Sequence, residues 1–315
     1  MAAAEGDIVI VRYIYRGAAD EIIPRDATHI TVDKDVTVIH EQAFYHHLGI
    51  VEIICHDRVE KIGEEAFFGC PNLRRVIMPG VKIVERLAFQ MCPVLDVECN
   101  KRERIGDGAF LECYSLESIN LPSIRIIGEE AFKNCESLTD VKFGRKLEII
   151  EEGAFTICDS LEKITIPLKD GLITEDDIFR GCHNFRHVDL IERSVMQETV
   201  ASLQLDVWRN DMNREIDSIN QTLPAAPVGG WYEYDGNDHY DNGEKARTIR
   251  TWIRSVLQKI VHYKAEHRRI LSEAATAIQY ALPNDILMNN VLPFLALPSH
   301  TFERENEKKR KLGSQ

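Results

Sequence analysis

The chain lacks any run of apolar residues reaching the roughly 18–20 that a bilayer crossing needs, so no membrane span is expected. Met1 to Gly6 hold no basic cluster followed by an apolar stretch, and no secretory signal is read there. Positive charge is in deficit: 38 Lys and Arg stand against 51 Asp and Glu, a net charge of −13. Phosphate contacts draw on Lys and Arg, so nucleic acid is disfavoured as the main partner of the whole chain. The local patterns that carry chemistry are also missing. There is no Gly-rich phosphate loop, no His-Glu-x-x-His and no Gly-x-Ser-x-Gly. The eight cysteines include no close pairs of the kind that hold zinc. Asp235-Gly236-Asn237-Asp238-His239-Tyr240-Asp241 starts like a calcium loop, but His239 stands at the third side-chain ligand and Tyr240 where a glycine must turn. His46-His47 reads as one core residue beside one exposed neighbour. The expectation is a non-enzymatic protein with no catalytic, cofactor-binding or metal residues and no cofactor.

In place of site motifs the chain has repetition. Ile127-Gly128-Glu129-Glu130-Ala131-Phe132-Lys133-Asn134-Cys135-Glu136-Ser137-Leu138 recurs with its spacing held. The anchors are Phe44, Phe67, Phe89, Phe110, Phe132 and Phe155, with Phe179 as a looser seventh, and successive gaps are 23, 22, 21, 22, 23 and 24 residues. A fixed period of about 20–29 residues is the mark of a solenoid of leucine-rich-repeat size. Within each repeat, alternating apolar residues such as Leu138, Val141 and Phe143 predict a short strand with one buried face. Pro79, Pro122 and Pro167 then stop the strand. Pairs such as Val59/Ile62 and Ile124/Ile127 predict a second extended piece, with Gly63, Gly106 and Gly128 at the corner that follows. Ala-Phe-x-x-Cys is expected to make about one helical turn. Cys70, Cys92, Cys113, Cys135, Cys158 and Cys182 share one repeat position, which predicts a ladder of small buried thiols rather than a disulfide framework.

The recurring Ile-Gly-x-x-Ala-Phe-x-x-Cys-x-x-Leu-x-x-Val resembles the BspA-like, or Treponema-type, leucine-rich repeat. The resemblance covers roughly Ala27 to Leu190, about half the chain. It departs from the pattern at His47, where Cys is expected, at the Phe89 coil, which is one residue short, and at Asp177, which replaces Ala. It implies a repeat solenoid of short parallel β-strands with helical turns, and a role in adhesion or protein interaction.

The expected organisation is a capping strand in 1–26, about seven repeats in 27–191 and a capping helix in 192–223. A flexible loop in 224–243, a helical region in 244–298 and a charged tail in 299–315 complete it. The capping helix rests on Val200, Leu203, Val207, Met212, Ile216, Ile219 and Leu223. In the longer helix, Ile249, Ile253, Val256, Ile260, Tyr263, His267, Ile270, Ala274 and Ala277 step by four and three, the seam of a coiled coil. Self-association through 249–277 is therefore one expectation. Glu244 to Arg269 carries eight basic residues against two acidic ones, so docking on an acidic surface, in cis or in trans, is another. Leu282 to Leu295 is similar to the opening helix of an F-box, which would imply a ubiquitin-ligase adaptor through residues 282–295. Lys308-Lys309-Arg310-Lys311 is a candidate nuclear-import run, so the expected location is cytoplasmic or nuclear.

The main expectation is a scaffold that binds a protein of unknown identity. Side chains between the buried positions of each strand should face outward in one ladder. The candidate binding residues are Arg74, Arg75, Ile77, Glu117, Asn120, Asp140, Lys142, Glu162, Lys163, Thr165, Arg186 and Asp189.

Overall fold

The computed structural model describes residues 10–18, 20–98, 103–191, 196, 198, 200, 201, 203, 205–226 and 244–279. The chain divides into two compact units: residues 1–191 with 218–254, and residues 192–217 with 255–315.

The first unit is a solenoid of parallel strands followed by short helical segments. Six coils each contribute a longer strand, a two-residue strand and a turn, and the last replaces the short strand with a single bridge from Ile173 to Ile150. The longer strands form two sheets. One runs β1 (Arg12–Tyr15), β2 (His29–Val32), β4 (Glu52–Ile54), β6 (Arg75–Ile77), β8 (Asp96–Glu98); the other runs β10 (Ser118–Leu121), β12 (Asp140–Phe143), β14 (Lys163–Ile166), β15 (His187–Leu190). The short strands β3 (Val38–Ile39), β5 (Lys61–Ile62), β7 (Ile83–Val84), β9 (Arg104–Ile105), β11 (Ile126–Ile127) and β13 (Ile149–Ile150) form a third, six-stranded sheet. No coil could bury its apolar side alone, so stacking creates the core.

That core is built as columns. Phe44, Phe67, Phe89, Phe110, Phe132, Phe155 and Phe179 stack ring on ring, with neighbouring centroids 4.8, 5.1, 5.2, 5.3, 5.3 and 5.9 Å apart. Tyr15 closes one end of the stack at 5.0 Å and Phe185 the other at 4.7 Å, both tilted. A second column is the thiol ladder. Each Sγ donates to the carbonyl of the Phe one coil earlier: Cys70 to Phe44 at 3.1 Å, Cys113 to Phe89 at 3.1 Å, Cys158 to Phe132 at 3.1 Å. All seven described cysteines are free and buried. Burial pushes the Cys135 thiol up to about 12, so this thiol stays protonated and unreactive near neutral pH. In the first coil His47 replaces the cysteine and spans the wider gap there, bonding the Pro24 carbonyl through Nε2 at 2.9 Å.

The turns differ from a helical turn. Between Gln42 and His47 the chain closes i to i−3 bonds at Ala43, Tyr45 and His47, while the alternate N–H groups of Gln42, Phe44 and His46 reach the next coil. This alternation requires left-handed backbone two residues before and two after each Phe. Non-glycine residues adopt it at Gln42, His46, Glu65, Leu87, Met91, Glu112, Glu130, Asn134 and Ile157. Only the last coil forms a single 3-10 turn, Asp177–Phe179. The corner glycines answer a different need: a Cβ on Gly63 would lie 2.8 Å from the Ile39 carbonyl oxygen of the coil before.

After the last coil come α1 (Asp206–Thr222), a 3-10 turn (Leu223–Ala225) and α2 (Glu244–Gln279). Within the first unit, Asn220 bonds both backbone groups of Val188 in β15. Lys245 at the start of α2 is buried, donates to the Phe185 carbonyl and lies 5.8 Å from the Phe185 ring centre. Arg247 and Arg250 pair with Asp176, and Arg254 with Asp170 at 3.0 Å. The basic face of this helix thus docks in cis on acidic residues of the last coil. Within the second unit, Lys259 pairs with Asp211 at 2.7 Å and Glu215 at 3.1 Å, and Tyr263 bonds Asp211 at 3.0 Å. Val207, expected on the apolar stripe of the capping helix, is 75% exposed.

Candidate protein-binding surface

Strand pairing turns the outward residues of the repeats into rows. In the first sheet the register aligns Arg12, His29, Glu52, Arg75 and Asp96 in one row, and Ile14, Thr31, Ile54, Ile77 and Glu98 in the next. The second sheet aligns Ser118, Asp140, Lys163 and His187, and beside them Asn120, Lys142, Thr165 and Asp189. The candidate residues therefore belong to two sheets, with Arg75 and Ile77 on the first and most of the rest on the second.

The two sheets differ in chemistry. On the second, the charges are spent on each other. Lys142 pairs with Asp140 at 2.9 Å, Lys163 with Asp189 at 2.6 Å, and Arg186 with Glu162 at 3.2 Å. Burial pushes the Asp189 carboxyl up, but hydrogen bonds from Lys163 and His187 outweigh it and hold it below its ordinary value. The same contact raises Lys163. Thr165 stands half-buried in this row, and Glu117 and Asn120 are exposed at its start. On the first sheet, Arg75 pairs with Glu52 at 3.1 Å. Arg74 is not an outward strand residue: its guanidinium bonds the carbonyls of Pro71 and Pro93, both at 3.3 Å. The isoleucine row has no such compensation. Ile14 is 49% exposed and Ile54 37%, with Ile77 half-buried beside them. An apolar row in register across adjacent strands is the feature of this face that water leaves unsatisfied. Only Ile77 of that row was among the candidates. Ile14 and Ile54 escape a reading of single repeats, because their alignment depends on a 17-residue step followed by 23-residue steps.

Among the described residues, no three His, Cys, Asp or Glu side chains gather as a metal site, and no helix is long and apolar enough to cross a membrane. Residues 235–241, 282–295 and 308–311 lie outside the described residues. The first seam positions of α2, Ile249, Ile253 and Val256, are buried within the chain, whereas Ile270 is 38% exposed.

The stacked Phe column, the parallel register and the repeat period converge with a comparison of families. The model of the BspA type leucine rich repeat region matches residues 25–102 and 103–207, in six copies. The chain belongs to this family. Membership of the BspA-type repeat family suggests a protein-interaction or surface-binding role, and proteins of this repeat type are typically non-enzymatic scaffolds. No curated protein matches the chain. Among solved structures, a leucine rich repeat protein of T. pallidum is 26% identical, with 51% of this chain and 68% of that one covered and a TM-score of 0.39. A leucine-rich repeat protein of Bacteroides ovatus is 21% identical over 52% of this chain and 69% of its own, at a TM-score of 0.29. A leucine rich cell surface protein of Faecalibacterium prausnitzii is 17% identical over 52% and 79%, at 0.26.

Proposed function

We propose that this BspA-type repeat protein is a non-enzymatic scaffold that binds a protein partner through the outward face of its first strand sheet. The observation that carries the reading is the in-register row of Ile14, Thr31, Ile54 and Ile77, apolar at three of these four positions and exposed at both Ile14 and Ile54. Arg75 and Glu52 flank it, giving the mixture of apolar centre and charged rim that protein interfaces use. The self-paired second sheet offers less: a partner would first have to break the Lys142–Asp140 and Lys163–Asp189 contacts. A ladder of free buried thiols suits a reducing compartment, in keeping with a cytoplasmic or nuclear location.

The test is capture from native lysate with the full chain, its Ile54→Asp plus Ile77→Asp variant, and its Lys142→Ala plus Lys163→Ala variant. The expected result is loss of partners at least tenfold in the first variant and retention in the second, with unchanged melting in both. Equal capture by all three would remove the strand face as the binding surface.

A further inference from the structure

The turns of neighbouring coils are joined by the same ladder of N–H···O bonds at every interior junction. Gln42, Phe44 and His46 donate to the carbonyls of Glu64, Ala66 and Phe68 at 2.8–2.9 Å. Glu65, Phe67 and Gly69 donate in turn to Arg86, Ala88 and Gln90, and the pattern of three continues as far as the sixth coil. The direction never changes: each coil gives N–H groups to the coil after it and offers carbonyls to the coil before. The first coil therefore ends the ladder with the carbonyls of Glu41, Ala43 and Tyr45, to which no described residue donates.

The segment that precedes the first coil does not cover them. Arg12 pairs with His29 only 17 residues on, whereas His29 pairs with Glu52 23 residues on. The first layer is thus about a turn short. It supplies β1 to one sheet, and Tyr15 and Gly17 reach His40 beside β3 through the tyrosine hydroxyl and a carbonyl, but it supplies nothing equivalent to Ala-Phe-x-x-Cys. Where that turn is missing there is a groove of about 530 Å³ between Glu21, Ile23 and Arg25 on one side and residues 42–48 on the other. Its volume is within the range of about 300–1,000 Å³ found for ligand sites. Tyr45 is 44% exposed and Leu48 66% at its rim.

We infer that this groove is a docking site for a peptide segment of a partner protein, which completes the missing turn by donating alternate backbone N–H groups to Glu41, Ala43 and Tyr45. The occupant is fixed by complementarity and by continuity with the coil-to-coil interface: a row of acceptors at two-residue spacing needs a row of donors at the same spacing, as in strand addition to a sheet edge. A second copy cannot supply it from its own N-terminal end, which presents the same acceptors. At the other end, Lys245, Arg247 and Arg250 already occupy the last coil. The walls set Ile23, Tyr45 and Leu48 beside Glu21, Arg25 and His46, so the peptide's side chains meet a mixed apolar and polar surface. This surface is separate from the isoleucine row.

A labelled peptide of residues 61–72, Lys-Ile-Gly-Glu-Glu-Ala-Phe-Phe-Gly-Cys-Pro-Asn, is the probe, because its Glu65, Phe67 and Gly69 N–H groups make this ladder in the chain itself. It is titrated into the full chain under reducing conditions, with amide shifts followed by NMR, beside the same peptide N-methylated at those three residues. The expected result is saturable binding, shifts centred on residues 42–48, and at least tenfold weaker binding of the methylated peptide. The Ile54→Asp plus Ile77→Asp variant should bind the probe unchanged, which separates this site from the strand face. Equal binding of both peptides would overturn backbone pairing, and shifts centred elsewhere would overturn the groove. Absence of binding up to 1 mM would overturn the proposal. Binding that emerged only after removal of residues 1–9 would assign the groove to the chain's own N-terminus and also overturn it.

Discussion

The two ends of the solenoid are closed by different means. At the C-terminal end, Phe185 closes the aromatic stack and the Lys245 ammonium covers the Phe185 carbonyl. Arg247, Arg250 and Arg254 reach Asp176 and Asp170, and Asn220 occupies both backbone groups of Val188. At the N-terminal end a four-residue strand and one ring, Tyr15, do the equivalent work, and three turn carbonyls have no described donor. In a stack whose stability is nearly a sum of layers and junctions, the braced end should unfold with the whole and the bare end ahead of it.

The largest expected effect tests that contrast directly. Phe185→Ala empties a fully buried aromatic site and should cost about 3–5 kcal/mol in urea unfolding. Tyr15→Ala removes a ring just as buried, yet should lower the global midpoint less while hydrogen exchange at β1 rises toward that of a free segment. Equal loss of global stability from both would erase the difference between the ends.

Next comes the buried lysine. Burial pushes Lys245 below its ordinary value, with Cys182 opposing weakly. A lysine whose folded pKa lies below its unfolded one binds its proton less tightly in the native state. Stability must then rise with pH from the folded value up to the ordinary lysine value. Lys245→Met should remove that rise and, by leaving the Phe185 carbonyl without its donor, lower stability near neutral pH by about 1–3 kcal/mol. Urea midpoints measured from pH 7 to 10 check it, and a rise that survived in the variant would assign it to another group.

A smaller effect is expected at the ion pairs of the braced end. Arg250 and Asp176 are 20% and 28% exposed, so Asp176→Asn should cost about 1 kcal/mol, and less in 1 M salt, where such contacts are screened. The smallest effect compares one backbone position at two places. Glu112 and Gln42 hold φ of 60° and 55°, where glycine fits without strain. Glu112→Gly in the interior should gain about 0.5 kcal/mol, and Gln42→Gly at the bare end less, because that layer already opens locally. Thermal melts resolve the first change.

Much of the solenoid was legible because each buried position recurs. Phe110, Cys113 and Leu116 are all fully buried, and their counterparts in the other coils share the same spacing. The left-handed positions were not legible. They are filled by Glu, Gln, Leu, Met and Ile as well as glycine, so residue type gives no sign of them. Gly63, by contrast, follows the apolar pair Val59/Ile62 where a corner must turn, and it is kept by the approach of the preceding coil's backbone. The basic run that opens α2 pointed to an acidic partner surface, but Asp170 and Asp176, far away in sequence, became that surface only through folding. For the candidate site, the alternation within strands placed Arg75, Lys142, Lys163 and Asp189 outward. The pairing of Arg75 with Glu52 and of Lys163 with Asp189 depends on which residues lie one coil apart, whereas Lys142 meets Asp140 within its own strand.

The sequence by itself determined the period, the stacked aromatic column and the buried thiols, because burial in a repeat selects residue type at fixed intervals and side-chain chemistry records it. Tertiary structure alone decided the rows and the ends. Lateral register sets which outward residues become neighbours, so it made Ile14, Ile54 and Ile77 one apolar row and brought Lys163 against Asp189 on the second sheet. A backbone carbonyl carries no trace of residue type, and the open acceptors of Glu41, Ala43 and Tyr45 exist only because the layer before them stops short.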